Sequence, residues 1–304
     1  MSPKKVAVLL ATYNGSAHLR VQLNTLLAQT HKNIHIFIRD DGSEDQTMEI
    51  IDEYSRNYKN ITLIISNTDR GGSACANFIE MIRGMAVGDF DYFSLSDQDD
   101  IWTPDKITRA LGFLDAGYDC YASNLIAFTD DGKRVWIVDK AQDQTGLDYM
   151  FQGASAGCTY VFSARVFEMI KNTFYGRPVG SYKHLSHDWL IYAISRSAGF
   201  KWFIDPISKI FYRQHSNNVY GDAGFFNGYL KKLAMINSGW YLKNINDISQ
   251  FLVGKESEKK YLDLVKNKNI FKRMKIINDW TRLRRKKLES LFVVLVVVLG
   301  LMRD

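Results

Sequence analysis

At 304 residues with 46% hydrophobic and 24% charged side chains, the chain has an ordinary globular balance and is long enough for one large domain with an appendage. Its three cysteines, Cys75, Cys120 and Cys158, lie far apart without a Cys-x-x-Cys pair, which argues against a disulfide framework or zinc site and fits a reducing cytosol. The net charge of +6 is unevenly placed: residues 255–304 carry 14 Lys and Arg against 6 Asp and Glu, so a basic tail follows a body of net −2.

The first predicted element is a strand at Val6 to Ala11, a continuous apolar run that suits burial on both faces and is too short for a secretory leader. It stops at Thr12-Tyr13-Asn14-Gly15, a turn signal, and Leu19, Leu23, Leu26 and Leu27 then recur at helical spacing. Ile34, Ile36 and Ile38 predict a second strand ending in Asp40-Asp41-Gly42. Ser43 with Gln46 has the spacing of a capping box, opening a helix with Met48, Ile50, Ile51 and Tyr54 on its apolar face. A third strand at Ile61 to Ile65, a loop at Gly71-Gly72, a helix over Phe78 to Met85 and a fourth strand at Tyr92 to Leu95 follow. Thr103-Pro104 starts the next helix, with Pro at its first position.

This alternation predicts a mainly parallel sheet with helices on both faces over the first 115 or so residues. Tyr121 to Phe128 and Arg134 to Val138 flank Asp130-Asp131-Gly132 and predict a hairpin, so the second half is mixed. After about Gly221 the pattern is helical and increasingly basic.

The chemistry concentrates in Ser96-Asp97-Gln98-Asp99-Asp100, where three carboxylates follow an apolar strand. Like charges so close raise one another's pKa and call for a cation, and a hard divalent ion such as Mg²⁺ or Mn²⁺ suits carboxylate oxygens. In an open α/β sheet the ligand lies beyond the carboxyl ends of the strands, so the ion would hold an anionic ligand there, most simply a nucleotide diphosphate. An acidic loop capping the next helix is the alternative. Neither a Gly-x-Gly-x-x-Gly turn nor a Gly-Lys-Ser phosphate loop follows the first strand.

Leu10-Ala11-Thr12-Tyr13-Asn14-Gly15, Asp40-Asp41-Gly42-Ser43, Ser96-Asp97-Gln98-Asp99-Asp100-Ile101-Trp102 and His187-Asp188-Trp189, in that order, resemble the family-2 glycosyltransferases of the GT-A fold. Within that family the resemblance is nearest to the bacterial rhamnosyltransferase-like members that build surface polysaccharides. It extends over roughly residues 4 to 220 and implies an α/β GT-A catalytic domain at 1–220, with a nucleotide-binding half at 1–115 and an acceptor half at 116–220, followed by a helical extension at 221–304. It further implies that Asp40 and Asp41 read base and ribose and that Thr12 and Tyr13 lie against the nucleotide. The Asp-x-Asp matches Asp97 and Asp99, which would both stand at the metal, Asp99 as the direct ligand and Asp97 nearer the ribose.

By the same resemblance, Asp188 is the base that takes the acceptor hydroxyl proton in an inverting displacement. Many members carry an acidic residue where this chain has His187, which reads either as an orienter of the base or as a packing residue. Arg213-Gln214-His215 resembles a segment closing over the diphosphate, which would put Arg213 on phosphate and His215 in the metal shell; a polar loop satisfying its own backbone is the rival reading. The small-residue run Gly153 to Cys158 resembles the approach to the acceptor pocket, or is a flexible turn. The absence of a Gln-x-x-Arg-Trp motif points to the addition of one sugar at a time. Trp102 and Trp189 read as core, and His18, His31, His35 and His184 as structural.

In the tail, Ile270, Met274, Ile276, Ile277, Trp280 and Leu283 form an apolar face interleaved with Lys272, Arg273, Lys275, Arg282, Arg284, Arg285, Lys286 and Lys287, the pattern of a helix lying in a membrane interface. The uncharged run Leu291 to Met302 is short of the roughly 20 residues that span a bilayer. The expectation is therefore a cytoplasmic enzyme peripheral to the inner face of the cell membrane, using Mg²⁺ or Mn²⁺, a nucleotide-diphosphate sugar donor and a saccharide or lipid-linked saccharide acceptor, and binding no nucleic acid. The rivals are an inactive nucleotide-sugar-binding scaffold and a sugar-phosphate nucleotidyltransferase.

Overall fold

The computed structural model describes residues 3–64, 71–214, 239–253 and 256–301. Its backbone divides into two compact units, one gathering 1–141, 155–187 and 200–218, the other 142–154, 188–199 and 219–304.

The first unit is built on a seven-stranded sheet. In chain order its elements are β1 (Val6–Thr12), α1 (Leu19–Leu27), β2 (Ile34–Asp40), α2 (Thr47–Asn57), β3 (Ile61–Leu63), α3 (Ala74–Gly84), β4 (Tyr92–Ser96), β5 (Ile101–Trp102), α4 (Lys106–Asp115), β6 (Cys120–Ser123), β7 (Leu125–Thr129), β8 (Val135–Val138), β9 (Val161–Ser163) and α5 (Ala164–Phe174), with β10 (Trp202–Asp205) and β11 (Ile210–Gln214) after the excursion into the second unit. The sheet order is β10-β6-β9-β4-β1-β2-β3, parallel except for β9, which runs against both β4 and β6. A four-stranded sheet, β5-β11-β7-β8, stands apart and contains the expected hairpin as β7 against β8.

The parallel strands follow from the apolar pattern. Every residue of β1 is buried, with Val6 to Leu10 wholly inaccessible, as a central strand covered on both faces requires. On the partner strand Ile34, Ile36 and Ile38 face the core with Leu19, Leu23 and Leu26 of α1 and Ile50, Ile51 and Tyr54 of α2. Two helix starts differ from the sequence reading. The Ser43 hydroxyl donates to Asp40 and accepts from the backbone N–H of Asn14, so it is unavailable as a cap, and α2 begins at Thr47, whose N–H is taken by Asp45 Oδ1 at 3.0 Å. Likewise α4 begins at Lys106, two residues beyond Pro104, after a turn closed by Lys106 N to Thr103 O at 3.1 Å.

In the second unit, α6 (His187–Ser197) enters by way of Asp188 and is followed by α7 (Trp240–Ser249), α8 (Glu256–Lys266), α9 (Ile270–Arg273), a 3-10 stretch at Met274–Asp279, α10 (Trp280–Leu283) and α11 (Lys287–Leu299). Its centre is a buried ion cluster. The fully buried Asp148 accepts from Tyr192 Oη at 2.7 Å and pairs with Arg285 at 3.2 Å and Arg196 at 3.4 Å; Arg285 also donates to the carbonyls of Gly153 and Ala154. Arg284 pairs with Glu289 at 2.8 Å. These two arginines therefore belong to the packing of the tail, not to a solvent-facing basic stripe, and the expected single amphipathic helix is broken by the 3-10 stretch, with Ile276 and Leu283 buried while Ile270, Met274 and Ile277 stay exposed. No helix among the described residues is long and apolar enough to cross a membrane.

Candidate active site

Strand register assembles the site. Thr12 pairs with Asp40 across β1 and β2, and Leu10 with Ser96 across β1 and β4, so three neighbouring parallel strands release their loops at the same sheet edge. Those loops are the turn at 13–16, the acidic turn at 41–46 and the run Asp97 to Asp100.

The first two loops are knitted by carboxylates. Asp40 accepts from Thr12 Oγ1 at 2.8 Å, Ser43 Oγ at 2.6 Å and the N–H groups of Gly42 and Ser43 at 2.9 and 2.7 Å, two donors for each oxygen. Asp41 is buried against Arg39 at 3.3 Å and accepts from the N–H groups of Gly71 and Gly72 at 2.6 and 2.8 Å. Asp45 takes Ser16 N at 3.0 Å and both donors of Thr47. Burial of the Asp45 carboxyl acts to raise its pKa, but the hydrogen bonds from Thr47 and Ser16 outweigh it and bring the value down to about 2. Asn14 holds a left-handed turn, φ 46°, with its side-chain oxygen accepting from Glu44 N at 2.9 Å.

The third loop is locked to the first by Gln98. Its Oε1 accepts from Tyr13 N at 2.8 Å and its Nε2 donates to Tyr13 O at 3.0 Å. Gly15 lies so close that an added Cβ would fall 2.2 Å from Gln98 Oε1, so a side chain there would expel the amide. Tyr13 itself is exposed, whereas Thr12 is buried.

Beneath this rim the sequence reading had expected Asp97 and Asp99 around the ion; the structure brings Asp97, Asp100 and Cys158 together, their ligand atoms all within 4.8 Å of one another. Gln98 and Asp99 form a bend directly after Asp97, where the alternation of an extended chain no longer puts every second residue on one side. Asp100 is only 1% exposed, and the donors that face it, the Cys158 thiol and the backbone N–H of Arg213, fall short of regular hydrogen-bond geometry. Burial, and next the charges of Asp99 and Asp97, push its carboxyl well above the usual range; burial, then Asp100 and Asp97, push the Cys158 thiol up as well.

Lys106, also fully buried, donates to Ser94 Oγ at 3.0 Å with Nζ 3.1 Å from the centre of the Trp102 ring, and burial drives its pKa well down. A buried carboxylate so weakly hydrogen-bonded is what a cation satisfies, so these residues fit a divalent ion: two carboxylates suit Mg²⁺ or Mn²⁺, and the thiol adds a softer donor. Asp100 was legible only as part of the three-carboxylate run, and Cys158 and Lys106 were missed as site residues. For Lys106 the sequence signal was its place four residues before Ala110 on the apolar face of α4.

Arg213 donates from Nε to the carbonyl of Asp99 at 3.0 Å and pairs with Asp130 at 2.8 Å, so it braces the acidic loop from β11. His215 lies outside the described residues. His187 packs its ring on Phe78, centroids 4.5 Å apart, and against Gly157, where a Cβ would fall 2.3 Å from His187 Nε2. Asp188 stands in the first turn of α6 and accepts from Trp189 N at 2.7 Å, while the Trp189 indole donates to Tyr149 O at 2.9 Å.

Residues 7–174 match the family model described as Glycosyl transferase family 2. The chain is 33% identical to the dTDP-rhamnosyl transferase RfbG of Shigella flexneri over 293 residues, 96% of this chain and 100% of that protein. An uncharacterized glycosyltransferase of Haemophilus influenzae is 26% identical over 151 residues, 49% of this chain and 57% of its own length. Among solved structures, S. aureus TarS 1-349 in complex with UDP superposes with a TM-score of 0.59 at 12% identity, covering 98% of this chain and 89% of that one. The mannosyltransferase PcManGT of Pyrobaculum calidifontis, in complex with GDP-Man and Mn2+, gives 0.51 at 13% identity with the same coverages. The fold is thus the GT-A arrangement that the motifs implied. With more than half its length matched by the family model and nearly all of it aligned to one relative, the chain belongs to glycosyl transferase family 2.

Proposed function

We propose that the chain transfers rhamnose from a dTDP donor to a saccharide acceptor, lipid-linked and built into a bacterial surface polysaccharide. The observation that carries this reading is the 33% identity running the full length of a dTDP-rhamnosyl transferase, acceptor half and tail included. In the displacement, the acceptor oxygen forms a bond to the anomeric carbon as the bond from that carbon to the diphosphate oxygen breaks. The nucleoside diphosphate leaves with the electron pair, the configuration inverts, and Asp188 accepts the hydroxyl proton.

Asp40 and Asp41 would serve the nucleoside by holding the loops that carry Thr12, Tyr13 and Asn14 against it, a reading supported by their full sets of internal donors. A divalent ion, Mg²⁺ or Mn²⁺, would be held by Asp97 and Asp100 beside Cys158, with Asp99 and His215 as the further donors available, and when bound it would neutralise the diphosphate. Arg213 would keep the acidic loop in place, or turn to phosphate when donor binds. The tail would bring the catalytic domain, 1–220, to the inner face of the membrane where a lipid-linked acceptor resides.

Calorimetric titration with dTDP-, UDP- and GDP-sugars, each with Mn²⁺ and with chelator, tests the donor reading. Metal-dependent binding of dTDP-rhamnose alone is expected. Binding of no donor by the folded chain would sink the proposal.

A further inference from the structure

The second unit carries a cleft of about 770 Å³ lined by Lys259, Lys260, Lys266, Lys268, Lys272 and Lys275. All six are exposed, and Asp263 is the one carboxylate among the residues that line it. Lys259, Asp263 and Lys266 share a face of α8, while Lys268, Lys272 and Lys275 come from the segment that follows. Among the described residues no carboxylate pairs with Lys259, Lys268, Lys272 or Lys275. So many ammonium groups around one concavity repel each other, and an anion placed among them relieves that repulsion.

The same stretch of chain displays apolar side chains to water. Ile270, Phe271, Met274 and Ile277 are exposed, Phe271 to 76%. On α11, Leu288, Leu291, Leu295 and Leu299 form an exposed row at helical spacing, opposite Ser290, Val293, Val296 and Val297, which are buried. The two segments lie alongside, since a Cβ on Gly300 would meet the Arg273 guanidinium. Cationic groups beside a double row of bare aliphatic and aromatic groups match a surface that is anionic outside and apolar within. A nucleic acid or free phosphate would answer the lysines and leave the apolar rows in water.

We propose that the six-lysine cleft binds the phosphate headgroups of an anionic bilayer leaflet, with the adjoining apolar rows entering the boundary between headgroups and acyl chains. The inference rests on the reading of the chain as a transferase that works on a lipid-linked acceptor, and it identifies the residues that meet the membrane.

The test is co-sedimentation of the full chain with vesicles of phosphatidylcholine alone and of phosphatidylcholine with phosphatidylglycerol, alongside calorimetric dTDP binding. Binding to the anionic vesicles only, weakened by salt, is expected. The triple variant Lys268→Ala, Lys272→Ala, Lys275→Ala should lower that binding by at least about tenfold, the Lys→Arg triple should restore it, and neither should alter dTDP binding. The pair Phe271→Ser, Leu295→Ser should weaken vesicle binding without changing its preference for anionic lipid. Undiminished vesicle binding by the alanine triple overturns the proposal. So does displacement by inorganic phosphate beyond that caused by chloride at equal ionic strength, or binding to duplex RNA tighter than to vesicles. Failure of dTDP binding in the unmodified chain would count against the transferase reading alone, because vesicle binding is read separately.

Discussion

The side-chain amide of Gln98 closes two hydrogen bonds on the backbone of Tyr13, at 2.8 and 3.0 Å, and so ties the acidic run to the turn that ends β1. The residue between the two aspartates of an Asp-x-Asp motif is easily taken for filler. Here it fixes the distance between the turn after β1 and the acidic run, which in the proposed reading would meet the nucleotide and the ion. Replacing Gln98 with Leu removes both bonds, each of about 0.5–1.5 kcal/mol, and should weaken dTDP binding by roughly tenfold by calorimetry. Gly15→Ala should act in the same direction, because its methyl group takes the place of the amide oxygen. Unchanged affinity in both variants would show that the clamp is irrelevant to the donor.

Asp100 should answer to metal where Asp99 answers less. Its buried oxygens lack a well-formed hydrogen bond, so a bound cation should stabilise the native chain, by about 2.7 kcal/mol at a hundredfold excess over Kd. Thermal unfolding with and without Mn²⁺ should show a rise in Tm for the unmodified chain and for Cys158→Ser, and none for Asp100→Asn. A Tm rise retained in Asp100→Asn and lost in Asp99→Asn would restore the pairing of Asp97 with Asp99.

Asp188→Asn keeps the shape of the side chain, including the acceptor for Trp189 N, and removes the carboxylate proposed as the base. Turnover should fall by roughly 10²–10⁴ while dTDP binding stays within a factor of two or so. Preserved turnover would assign the proton to another group.

Arg285 tests whether the tail is part of the fold. Its guanidinium is buried with Asp148 at 3.2 Å, and removing one partner of a buried pair leaves the other charge uncompensated. Arg285→Ala should cost about 3–5 kcal/mol in chemical denaturation. Lys272→Ala, on the exposed cleft, should change stability by no more than about 0.5 kcal/mol. Equal effects from the two would contradict the division between structural arginines and surface lysines.

Asp45 makes the loops after β1 and β2 sensitive to acid. Its pKa falls from 3.8 when unfolded to about 2 in the folded chain, so its contribution is complete above the unfolded value and is lost as pH drops through that window. The stability difference between the unmodified chain and Asp45→Asn should be constant at neutral pH and shrink between pH 3.8 and about 2, as followed by denaturant titration at several pH values. A difference independent of pH over that range would mean that the hydrogen bonds from Thr47 and Ser16 do not select the ionised form.

Much of the architecture was local and therefore legible. The unbroken apolar run of β1, the alternation in β2 and the turn residues after both strands are near-neighbour patterns, and they placed Thr12, Asp40, Asp41 and Asp97 at strand ends before any contact was known. The order of the motifs named the family.

Other features depend on partners from remote stretches. Ser43 looked like a helix cap because its hydroxyl was counted against its own sequence neighbours, yet Asn14 and Asp40 claim it. Arg285 looked like one more cation on a basic stripe until Asp148 and the carbonyls of Gly153 and Ala154 enclosed it.

The sequence by itself determined the strand and helix pattern, the family motifs and the presence of a carboxylate cluster, because each is written in residues a few positions apart. Tertiary structure decided which carboxylate is buried beside Cys158, which arginines are walled in and which lysines stay in water, because burial is set by whatever chain arrives from elsewhere to cover a group, and desolvation then decides its charge.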